Sequence, residues 1–78
     1  MAKRTGGQGL LDEAEAQARE AMLYLKAKIG TPQKALHHLG LGWLSFGHGL
    51  ALGVADAEAT RAFDLLTVAE RKLAERLS

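Results

Sequence analysis

Cysteine is absent from the 78 residues, so neither a disulfide nor a thiolate metal site can brace the chain. A strong excess of one charge is absent too. Residues 1–9 carry +2, residues 10–29 carry −1, residues 30–55 carry +1 and residues 56–78 carry −1, which sums to +1. None of these blocks has the basic density of a dedicated nucleic-acid binder. Lys3 and Arg4 open the chain as a signal peptide would, but "TGGQG" follows where an apolar stretch is needed, so a cytoplasmic protein is expected. Internal repeats, low-complexity tracts and strand-like alternation are missing as well. A single domain of this length buries only roughly 60–65 % of its unfolded surface. Without disulfides or a metal, it must rely on close helix packing or on a partner.

What is present is helical periodicity. "MAKRTGGQG" has three glycines and no apolar pattern, and reads as a flexible basic arm over residues 1–9, ahead of one helical domain over 10–78. In residues 10–29 an apolar stripe runs through Leu11, Ala14, Ala18, Ala21, Met22, Leu25 and Ile29 at steps of three and four. Asp12 and Glu15 have the spacing of a capping box. "GTP" at 30–32 combines a C-terminal stop, an N-cap and a proline at the first helical position, so the next helix should fold back as a hairpin. Residues 56–78 form a third helix, capped by Asp56, with a stripe through Ala59, Ala62, Phe63, Leu66, Ala69, Leu73 and Leu77. The fold class is all-α: a three-helix bundle, or a helical hairpin plus a third helix.

The middle segment, residues 32–55, is the unusual one. Five of the nine glycines lie in "GLGWLSFGHGLALG", residues 40–53. Each glycine inside a helix costs roughly 1 kcal/mol against alanine. Wound as one helix, the segment separates Gly42, Ser45, Gly49 and Gly53 into a small-residue strip. Leu36, Leu39, Trp43, Phe46, Leu50 and Val54 make a bulky strip. The alternative is two shorter helices broken at 40–42. A strip without side chains suits close backbone approach, either by the alanines of the first helix or by a second copy. Residues 39–55 carry no charge, so the helix is expected to be buried on most sides, and two amphipathic neighbours cover only part of it. Something else must cover the rest, which predicts an oligomer or a helical partner. The expected interface is Gly42, Trp43, Ser45, Phe46, Gly49, Leu50 and Gly53. A compact monomer and a membrane-associated segment over residues 39–55, at the short end for a span, are the alternatives.

Chemistry has few footholds. His37 and His48 share a helix face but stand about 16 Å apart along the axis, so they cannot share a metal. His48 is expected to be buried and hydrogen-bonded, which would make an interface sensitive to pH. Neither a nucleophile with a base nor a phosphate loop can be found. The expectation is therefore a non-catalytic protein with no cofactor and no metal: a self-associating assembly, adaptor or regulatory subunit. The second reading is a nucleic-acid-binding regulator. It would use Lys3 and Arg4 of the arm with a dimeric bundle, because "GWLSFGHGLALG" offers no Arg, Lys, Asn or Gln to base edges.

Overall fold

A computed structural model describes residues 6–27 and 32–78. Three helices account for nearly all of them: α1 (Gly6–Ala27), α2 (Pro32–Leu52) and α3 (Asp56–Leu77). The protein is an all-α three-helix bundle. Residues 1–5, with Lys3 and Arg4, and residues 28–31, with Ile29, Gly30 and Thr31, lie outside the described residues. Gly42 of α2 approaches Ala14, while Gly49 approaches Gly7 and Leu11, so α2 runs antiparallel to α1. Glu15 pairs with Arg61 and Gln8 with Glu58, so α3 runs parallel to α1.

The segment 32–55 is one helix, not two, over Pro32–Leu52. It stops three residues earlier than its apolar pattern. Gly53 takes φ +92°, a conformation that side chains disfavour, and its N–H donates to the Leu50 carbonyl. Gly53 is thus the stop of α2 and no part of a strip along it. Ala55 is extended at the N-terminus of α3, and Asp56 is the first helical residue instead of the cap. Its charge still meets the helix dipole, together with Glu58.

α1 begins at Gly6, four residues before the start read from the sequence. Asp12 therefore sits inside the helix, where it accepts a hydrogen bond from Gln8, and the Asp12–Glu15 capping box does not form. The early start has a packing reason. Gly7 is buried, and a Cβ there would lie 2.8 Å from the Gly53 carbonyl oxygen and 2.9 Å from that of Gly49. Backbone meets backbone where the arm was expected.

Buried positions recur at steps of four and three, or seven from Gly42 to Gly49: Gly7, Leu11, Ala14, Ala18 and Ala21 on α1, with Glu15 beside them; Ala35, Leu39, Gly42 and Gly49 on α2; Ala62, Leu66, Ala69 and Leu73 on α3. This seven-residue period belongs to helices packed at shallow crossing angles, about 20°. Six of the ten buried apolar residues are alanine, so the helices must approach closely to leave no void. Leu11 and Leu66 are the only large side chains among the described residues that are fully enclosed.

The expectation that α2 is buried on most sides is not met within the chain. A triangular arrangement gives each helix two neighbours, and the third side of each faces outward. The buried residues of α2 are Ala35, Leu39, Gly42 and Gly49. Leu36 and Leu50 of its bulky strip are exposed.

Candidate interaction surface

Two faces of α2 use glycine differently. On the inner face, a Cβ at Gly42 would stand 2.7 Å from Leu66 Cδ2 and 3.3 Å from the Ala14 carbonyl oxygen. A Cβ at Gly49 would stand 3.0 Å from the Gly7 carbonyl oxygen and 3.1 Å from Leu11 Cδ2. Both glycines are thus at close crossings inside the chain, and α1 supplies the facing surface. Ser45 is half-buried beside them. Gly7 completes the crossing from the α1 side. Side-chain patterning missed it, although Gly7, Ala14 and Ala21 repeat a small residue every seven positions.

On the outer face, Gly40 and Gly47 have no atom within 4 Å of an added Cβ. They flank Leu44, which is 57 % exposed. Leu36, Leu41, Leu50 and Leu52 are also exposed on this helix, and no Asp, Glu, Lys or Arg occurs between Lys34 and Asp56. The result is a largely apolar face without Asp, Glu, Lys or Arg, in which His37 and His48 are the exposed polar side chains.

One edge of that face is aromatic. The Trp43 ring meets Phe46 and Phe63 edge-on, each at 5.7 Å between centroids, and Phe46 lies 6.1 Å from Phe63. Phe63 is half exposed, while Trp43 and Phe46 pack against the core. The Trp43 indole N–H is buried and has no hydrogen-bond partner among the described residues. An orphaned donor costs about 1–3 kcal/mol. Trp43→Phe removes that donor and keeps an aromatic ring, so the expected change is under about 1 kcal/mol in either direction, read by urea unfolding. A loss above about 2 kcal/mol would show that the N–H has a partner.

The polar groups form two local clusters. Glu15, only 4 % exposed, receives Arg19 at 3.2 Å and Arg61 at 3.4 Å. Arg61 also reaches Glu58 at 2.8 Å. Both arginines are 60 % exposed, so each pair is worth about 0–1 kcal/mol, and of the three only Arg61–Glu15 ties α1 to α3. Across the α1–α2 seam, His38 Nδ1 and Gln17 Oε1 are 2.6 Å apart, and the His38 ring stacks on Tyr24 at 5.4 Å. Lys34 lies 5.7 Å from the Tyr24 centroid. His37 meets His38 edge-on and is exposed. His48 is exposed as well, contrary to expectation. It lies on the outward side of α2, and the buried pH-sensitive histidine is not there within the chain.

No group of three or more His, Cys, Asp or Glu side chains among the described residues could hold a metal ion. No helix of the described residues is long and apolar enough to cross a membrane, since four glycines and His48 dilute the hydropathy of α2. No family model matches the chain, and no curated protein or solved structure matches it significantly.

Proposed function

We propose that the protein is a non-catalytic association module: a small bundle that pairs with a second copy of itself through the outer face of α2. The observation that supports this is the exposed, chargeless run of Leu36, Leu41, Leu44, Leu50 and Leu52 on one helix. An apolar surface of this kind on a small domain calls for cover. Because the face carries no Asp, Glu, Lys or Arg, two copies meet without opposing such charges. Gly40 and Gly47 add to the argument. Inside the chain nothing offsets their helix penalty, and close approach by another helix would. Of the residues first expected at the interface, Leu50 lies on this face and Trp43 borders it, whereas Gly42 and Gly49 are spent on the internal crossing.

Light scattering at micromolar concentration tests the reading. The expected mass is about twice the 8.3 kDa of one chain. Leu44→Glu should return it to the single-chain mass with helix content unchanged, because a carboxylate cannot be buried unpaired in an apolar contact. A single-chain mass for the parent protein at every concentration would end the proposal.

A further inference from the structure

A second surface, on the opposite side of the bundle, has a different chemistry. Along the seam of α1 and α3, near their C-terminal ends, lies an open groove of about 930 Å³. Small-molecule sites commonly measure about 300–1,000 Å³ and are mainly apolar. Met22 and Leu25 supply the floor, both packed against the core, and the exposed Leu23 extends it at the lip. The rim is basic. Lys26 lies on one side and Lys72 and Arg76 on the other, with Arg19 beside them and Glu75 as the one acid, so four cations face one anion. Arg19 is engaged by Glu15. Lys26, Lys72 and Arg76 make no ion pair among the described residues.

Helix dipoles account for part of this, because Lys26 and Arg76 stand in the last turns of their helices. Lys72 lies a turn earlier and is not explained that way. An apolar trough under a cationic lip matches a ligand with an apolar tail and an anionic head. The α1 lining runs from Arg19 to Lys26, about two helical turns. That length accommodates one alkyl chain, and the cationic lip fits an anionic head at its end.

We propose that this groove binds a single-chain anionic amphiphile, a fatty carboxylate in its simplest form. The chain lies over Met22, Leu23 and Leu25, and the carboxylate is held by Lys26, Lys72 and Arg76. The site is independent of the pairing face on α2.

The test is titration of the whole protein with dodecanoate below its micelle concentration, followed by calorimetry and backbone amide shifts. Dodecyltrimethylammonium serves as the control of equal chain length. One dodecanoate per chain is expected, with shifts centred on residues 19–26 and 72–76. A fully buried methylene is worth about fourfold in affinity, so a half-open groove should give about twofold per methylene from octanoate to dodecanoate. Each exposed ion pair is worth up to about fivefold. The double substitution Lys72→Glu with Arg76→Glu should therefore weaken dodecanoate by severalfold, up to about 25-fold. It should lower the thermal midpoint by only a few degrees, the cost of placing carboxylates near the C-terminus of α3. Equal binding of the cationic control, shifts centred on Leu41 and Leu44, or no binding would overturn the proposal. So would an acidic amphipathic peptide that shifts the groove amides where dodecanoate does not.

Discussion

Gly42→Leu is expected to leave the chain unfolded, or close to it, at 37 °C. A leucine there has no free volume to enter. Its Cβ alone would lie 2.7 Å from Leu66 Cδ2, and Leu66 is fully enclosed. The Ala14 carbonyl oxygen and Gln17 Cβ, each 3.3 Å away, close the other sides. Overpacking a tight core costs about 1–3 kcal/mol, and occasionally more. Three further carbons beyond the Cβ put this site at the upper end or above it. A domain of this size has about 5 kcal/mol in total to lose. Gly7→Ala is the milder companion. Its methyl meets two carbonyl oxygens below 3.0 Å, and backbone cannot swing aside as a leucine tip can. A net loss of about 1–3 kcal/mol is expected, although alanine is the better helix former. Thermal and urea melts followed by circular dichroism measure both. If either variant melts at or above the parent, the close crossings have been drawn too tight.

The same type of substitution on the outer face should act in the opposite direction. Gly40→Ala and Gly47→Ala each meet open space, so each should gain about 1 kcal/mol of helix propensity. The two sites are seven residues apart, so the gains should add. For a domain of 60–100 residues, 1 kcal/mol moves the midpoint by about 4–8 °C. The double variant, diluted until it is monomeric, should melt roughly 8–16 °C above the parent. If α2 pairs with a second α2 across these glycines, the two methyls also hold the helices apart, and dimer dissociation should rise at least about tenfold. A more stable monomer with a weaker dimer is the expected combination. An unchanged dimer would place the glycines away from the contact.

The amphipathic helices were readable because polar residues mark their phase. On α1, Glu13 and Glu20 lie opposite Leu11, Ala14, Ala18 and Ala21, and those four are buried as the spacing predicts, whereas Gln17, expected on the outer face, sits at the α1–α2 seam. On α3, Ala62, Leu66, Ala69 and Leu73 are buried for the same reason, whereas Phe63 and Leu77 of the expected stripe are exposed. α2 has no such marker. Apolar residues surround it, so a rotation of a few tens of degrees leaves the pattern equally good. The strip through Gly42, Ser45, Gly49 and Gly53 and the observed face through Ala35, Leu39, Gly42 and Gly49 share two members and diverge elsewhere. The exposure of His48 follows from the same missing phase. Gly7 was hidden for another cause. Its contact is backbone to backbone, and a residue without a side chain leaves no trace in a hydropathy pattern.

The alanine-rich interior has a consequence for how stability varies with temperature. The heat capacity of unfolding comes from apolar surface newly exposed to water, about 0.45 cal/K/mol per Å². Helices held together by methyl groups hide less of that surface than helices held together by leucines. Unfolding of a single chain should therefore raise the heat capacity by less than the roughly 12–15 cal/mol/K per residue usual for globular domains. A small heat capacity change flattens the curve of free energy against temperature. The bundle then keeps nearly the same margin in the cold as in warmth, and its cold denaturation lies far below the freezing point of water.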